Sequence, residues 1–231
     1  MLLALAVGCG GPSDETRIEE LRLVALAAEP PAVDPGAAYA LTATVADPLG
    51  EGGDLLVWSC PPSGACDVAL APIDAAQRVV PQTAHPARVV WAVACAPGQC
   101  GDLAAISDET LRDPVAWLAQ LPITGVSAAM RAMPIAVDTG AAVNPALDEA
   151  PPDWITGDSE VGAPLVFSAP GARFAYGYAT AGAFSAPRYE VAGSGAVTLT
   201  WFAADDGGAG ELFVVLEDGN GGVTVWLGAA K

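Results

Sequence analysis

The residues of this chain with the means to do chemistry are one histidine, five cysteines, a scatter of loop carboxylates and six tryptophans. His85, in Thr83-Ala84-His85-Pro86-Ala87, is the only imidazole. A hydrolytic triad needs such a base beside a nucleophile, and no second element of a triad can be read nearby. Gly193-Ser194-Gly195 lacks the spacing of a G-x-S-x-G nucleophile elbow and reads as a glycine-rich turn. There is no phosphate-binding P-loop, no H-E-x-x-H and no dinucleotide fingerprint. His85 therefore reads as a loop histidine, no catalytic set is assigned, and an enzyme is not expected.

Metal chemistry has two candidates. Asp205-Asp206 and the Asp218–Asn220 turn supply hard oxygen ligands, which calcium requires. They would form a site if both lie at one end of a sandwich. The competing reading is structural, because Asp218-Gly219-Asn220-Gly221-Gly222 has no downstream glutamate and Asx-Gly is a common hairpin turn. Cys60, Cys66, Cys95 and Cys100 form two close pairs. With Cys9 set aside, these four are an even number, which in an exported chain would imply two disulfides with three possible connectivities. A zinc ribbon is the alternative, but the first spacing, C-x5-C, is too long for it. Among the tryptophans, Trp58, Trp91 and Trp201 fall at strand centres, where a core role is expected. Trp154, in the loop-rich segment PPDWITGD, is the one expected to be exposed and is a candidate contact for a partner or glycan.

These residues need elements to hold them. The chain has 231 residues, of which 52% are apolar, enough for real cores. The 26 glycines and 20 prolines break the sequence too often for long helices. Short strands recur instead. Tyr39, Leu41, Ala43 and Val45 alternate with Thr42 and Thr44, and Arg88 to Cys95 repeats the pattern. Leu55 to Cys60 is a short apolar strand. Asp113-Pro114 opens a single helix that ends at Pro122 and should cover an open end of the sandwich. Phe174, Tyr176 and Tyr178 line one strand face. Leu212–Leu216 and Val223–Leu227 flank the Asp218–Gly222 hairpin turn. The fold class is all-β, with two sandwiches in tandem. Residues 21–137 form the first domain, 138–153 a breaker-rich linker, and 154–231 the second.

Acidic residues number 27 against 9 basic, a net charge of −18. Such a surface repels phosphate backbones, so no nucleic-acid partner is expected. It repels anionic headgroups too, so membrane attachment has to come from a tether. No apolar run approaches the ~20 residues needed to span a bilayer.

Two resemblances add to this. Leu2 to Val7 is an apolar run leading to Ala6-Val7-Gly8-Cys9, which resembles the lipobox closing a bacterial lipoprotein signal peptide. The resemblance implies that residues 1–9 are a signal segment and that Cys9 becomes the first mature residue and carries a diacylglycerol. Gly10 in the next position implies the outer membrane. Residues 10–20, GGPSDETRIEE, are polar and read as a flexible tether. RLVALAAEPPAVDPGAAYALTATVADPLG, and VTLTWFAADDGG followed by LFVVLEDGNGGVTVW, resemble the opening and closing halves of Ig-like (PKD- or cadherin-like) domains in exported bacterial surface lipoproteins of Gram-negative bacteria. If the Cys60 and Cys95 strands are antiparallel neighbours, these cysteines end at opposite edges, which favours the local pairs Cys60–Cys66 and Cys95–Cys100.

The function expected from all this is a non-enzymatic envelope module, structural or protein-binding, anchored only through its lipid. The alternative is a carbohydrate-binding or adhesive module. A flat apolar patch or an exposed sheet edge would favour the first, and contiguous exposed aromatics the second.

Overall fold

The computed structural model describes residues 14–32, 39–61, 63–73, 79–82, 89–122, 124–132 and 142–231. Cys9 with the apolar run before it, and His85, lie outside the described residues. The described chain is all-β, built from two Ig-like sandwich lobes.

Seven strands make the first lobe: β1 Arg22–Glu29, β2 Ala40–Ala46, β3 Gly53–Ser59, β4 Asp67–Ile73, β5 Val79–Gln82, β6 Val89–Cys95 and β7 Val126–Ala132. They form one sheet in the order β1-β2-β5 and another in the order β4-β3-β6-β7. Leu41, Ala43 and Val45 of β2 face Leu55 and Val57 of β3 and Val90 of β6 across the core. This is the alternation that a pleated strand imposes. Eight short strands make the second lobe: β8 Trp154–Ile155, β9 Ala163–Ser168, β10 Phe174–Ala179, β11 Ala183–Phe184, β12 Tyr189–Glu190, β13 Ala196–Phe202, β14 Gly210–Glu217 and β15 Val223–Ala230. Their sheets run β12-β10-β14-β15-β8 and β11-β13-β9. Leu165, Phe167, Leu199 and Trp201 pack onto Leu212, Val214, Leu216 and Trp226. Gly177 on β10 leaves the room that Phe184 fills, since a Cβ there would fall 2.6 Å from the Phe184 ring.

The helical segment differs from expectation. Two helices form, α1 Asp108–Arg112 and α2 Val115–Leu118. Asp113-Pro114 separates them, because the residue before a proline is pushed out of the helical region; Asp113 has φ −130° and ψ 75°. Ser107 caps α1 by accepting from the Thr110 N–H. The pair lies over the outer face of the β4-β3-β6-β7 sheet rather than over an open end. Leu103 and Leu111 pack there against Leu56, Trp58 and Val93. Trp58 is fully buried, and its indole N–H donates to the Leu111 carbonyl at 2.9 Å. Trp91 stacks on it and Trp117 meets it edge-on, with centroids 6.2 and 6.0 Å away.

The second difference lies at residues 14–20, read from sequence as part of a flexible tether. Thr16 is 0% exposed and Ile18 2%. The Thr16 hydroxyl donates to the Phe184 carbonyl and accepts from the Phe184 N–H, and the Ile18 N–H donates to Ala179 at 2.7 Å. The segment is a strap that joins β10 of one sheet to β11 of the other. A stretch N-terminal to the first lobe thereby completes the second. Ile18 packs against Ala46 and Phe213, with Val24 and Tyr178 alongside.

The lobes lie side by side. At one end of β1, Arg22 stands 4.6 Å over the Tyr178 ring. Near its other end, the Ala28 carbonyl accepts from the Asn144 amide, whose oxygen in turn accepts from the Val223 N–H. The outer face of the five-stranded sheet is therefore an internal surface, and Phe213 and Val215 are buried on it. Residues 142–153, read as linker, are tied down as well. The Ala146 N–H donates to the Pro170 carbonyl, and Glu149 bridges Ser168.

Candidate functional site

Cysteine chemistry is settled by strand direction. β3 and β6 are antiparallel, with Ser59 opposite Val90 and Asp54 opposite Cys95. Cys60 and Cys95 thus end at opposite edges of the sheet. The disulfides are Cys60–Cys66 and Cys95–Cys100, with Cα separations of 4.2 and 5.7 Å. The four sulfurs do not converge on a single metal. Loops this short contribute about 2 kcal/mol each by the loop-entropy argument, so the bonds mainly fix loop shape. The first also supports the helices, because the Arg112 guanidinium donates to the Pro61 carbonyl at 2.6 Å and to that of Gly64.

The calcium expectation is corrected. Asp205 and Asp206 precede β14, and Asp218 and Asn220 follow it. One eight-residue strand separates them, so the two groups lie roughly 25 Å apart at opposite ends of the lobe. Asp206 accepts from the Gly208 N–H. The Asp218 carboxylate is fully engaged in shaping its hairpin. One oxygen accepts from the Asn220 and Gly222 N–H groups at 2.7 and 2.8 Å, and the other accepts from Val143 at 2.8 Å. Among the described residues, no group of three or more His, Cys, Asp or Glu side chains is placed to hold a metal ion. Asp218→Ala should strand three backbone donors and cost about 1.5–3 kcal/mol, the range for hydrogen bonds to a charged group. Chemical denaturation reads this loss. A cost below half a kcal/mol would show that water replaces the carboxylate.

Trp154 sits on β8, the outermost strand of its sheet among the described residues, and is 55% exposed. It stands apart from the aromatic row of β10. In that row Phe174, Tyr176 and Tyr178 alternate onto the outer face, as their spacing predicts. The ring faces at both ends are occupied. Arg188 and Arg173 lie 3.8 and 5.4 Å from the Phe174 centroid, and Arg22 covers Tyr178. Burial, followed by the Glu217 carboxylate, raises the Tyr176 hydroxyl above the ordinary phenol value. Burial does the same to Tyr178. Both stay neutral hydrogen-bonding groups at physiological pH. Such cation–π contacts contribute about 0.5–1 kcal/mol each and occupy the two end rings of the row.

Exposed apolar residues occur on both lobes, Val161 and Val166 on the second among them, and the first lobe carries a pair on one strand. β4 is the outermost strand of its sheet among the described residues. Val68 and Leu70 point outward from it, 42% and 47% exposed, beside the helices that cover the rest of that face. Sequence reading passed over this stripe, although Asp67-Val68-Ala69-Leu70-Ala71-Pro72 alternates in size and ends in an edge-compatible proline.

No protein-family model matches the chain, and no curated protein matches it. Among solved structures, the D0-D1 domain of Intimin aligns with 90% of this chain and 98% of its own, at 9% identity and a TM-score of 0.29. A superposition that loose carries no argument, and the fold class rests on the sheets themselves. No helix among the described residues is long and apolar enough to cross a membrane.

Proposed function

We propose that the chain is a non-enzymatic module of the cell envelope, anchored through a lipidated Cys9, that docks an extended protein segment along the edge of β4. The observation that carries this reading is the pair Val68 and Leu70 on an outermost strand. Backbone donors and acceptors along such an edge accept an added strand, and alternate apolar side chains select it. The two disulfides support an oxidising compartment. The carbohydrate reading has less support, because guanidinium groups lie over Phe174 and Tyr178, the two ends of the β10 aromatic row.

Photocrosslinking in the native envelope tests the proposal. A photoreactive amino acid at Leu70 is expected to capture a defined protein adduct, while the same group at Val161, exposed on the other lobe, captures none. Absence of an adduct at Leu70, with retention on a glycan matrix that is lost in Tyr176→Ala, would transfer the assignment to carbohydrate.

A further inference from the structure

The strands give the molecule two poles. At one pole lie the strap, the turn carrying Asp205 and Asp206, and the loop closed by Cys95–Cys100. Pairing fixes this grouping: β14 begins there at Gly210, β6 ends there at Cys95, and Glu20 reaches the Gly125 N–H beside it. At the other pole lie the Cys60–Cys66 loop and the Asp218–Gly222 hairpin. Strands of seven or eight residues hold the poles roughly 25 Å apart.

The strap fixes the pole at which an anchor stem would leave the fold. Thr16 is held against Phe184 by two hydrogen bonds, and only seven residue steps separate it from Cys9. Fully extended, those steps span at most about 25 Å. Had residues 10–20 been free, the stem would be longer and its exit point unfixed. We propose that, in the anchored protein, the strap pole of both lobes faces the lipid surface, and the Asp218 hairpin and Cys60–Cys66 loop face away from it. This rests on lipidation of Cys9, the reading adopted above. Charge agrees with a stem rather than adsorption: Glu15, Glu19, Glu20, Glu51, Asp205 and Asp206 are exposed around that pole and outnumber its cations Arg17 and Arg22, with Arg17 paired to Glu19.

The test uses the full processed chain on vesicles of phosphatidylcholine and phosphatidylglycerol carrying an acceptor dye on the headgroups. A genetically encoded fluorescent amino acid is placed at Asp206 in one preparation and at Asn220 in another. Energy transfer is expected to be several-fold stronger from 206 than from 220. A double variant, Thr16→Gly with Ile18→Gly, should stay on the vesicles and lose most of that difference, because the strap no longer fixes the exit. Equal transfer from both positions in the parent protein, or stronger transfer from 220, overturns the orientation. If the protein does not associate with vesicles and mass analysis finds Cys9 unmodified, the anchor reading itself falls, and the orientation falls with it.

Discussion

Ile18→Ala is expected to destabilise the protein by about 2–4 kcal/mol, the usual cost of truncating a well-packed aliphatic residue to alanine. A flexible tether predicts no change, so the substitution separates the two readings of residues 14–20. Ile18 touches Ala46 of the first lobe and Phe213 of the second. The void would open between the lobes, so both should lose protection against amide exchange. Glu19→Ala is the control. Its side chain is 70% exposed, and surface changes of that kind stay within about half a kcal/mol. Urea unfolding of the two variants decides the matter. A shift for Ile18→Ala no larger than the control's would return the segment to the tether.

Trp58→Ala should cost more, about 3–5 kcal/mol. The indole has no exposed surface, stacks on Trp91, meets Trp117 edge-on and donates to the Leu111 carbonyl. Its loss would open a cavity beneath the α1–α2 segment and remove a hydrogen bond holding that segment to the sheet. Near-ultraviolet dichroism, which reports fixed aromatic packing, should collapse with the stability. Trp58→Phe separates the two contributions. It keeps much of the apolar volume and leaves the Leu111 carbonyl without its donor, at about 1–3 kcal/mol. If Trp58→Ala is no worse than Trp154→Ala, on an exposed indole, the helical cover does not depend on this side chain.

The strands were legible because burial on a pleated surface writes itself at period two, as Leu41, Ala43 and Val45 do. The closing hairpin was legible because Asp218-Gly219-Asn220-Gly221-Gly222 joins two apolar runs. Antiparallel strand direction favoured the local disulfides by setting Cys60 and Cys95 at opposite edges of the sheet. The outer layers were missed, yet they had left a trace. Leu55-Leu56-Val57-Trp58 and Leu212 to Leu216 are continuous apolar runs in antiparallel strands, where one solvated face would have produced alternation. Each run marks a strand covered on both sides: β3 by the core and the helices, β14 by the core and the first lobe. Thr44 and Ala46 are buried on the face of β2 that alternation assigns to solvent, and Ala46 packs against Ile18 and Phe213 of the same covering layer. The strap was harder to see. Its signal is one apolar residue, Ile18, two places from Thr16, among charged neighbours. The proposed calcium site failed for a topological reason that sequence does contain: turns on either side of a single strand cannot share an end of a sheet. Exposure of the β4 edge depends on where the helices stop, which no local pattern records.

Asn144 ties the two lobes together. Its amide nitrogen donates to the Ala28 carbonyl and to the Glu29 carboxylate, while its oxygen holds Val223. A single side chain is thus hydrogen-bonded to both lobes, at the end of the shared seam opposite the strap. In solution the two halves should reorient as one rotor, and nitrogen-15 relaxation should return a single correlation time for the strands of both lobes. Independent wobbling would need both fastenings to let go at once.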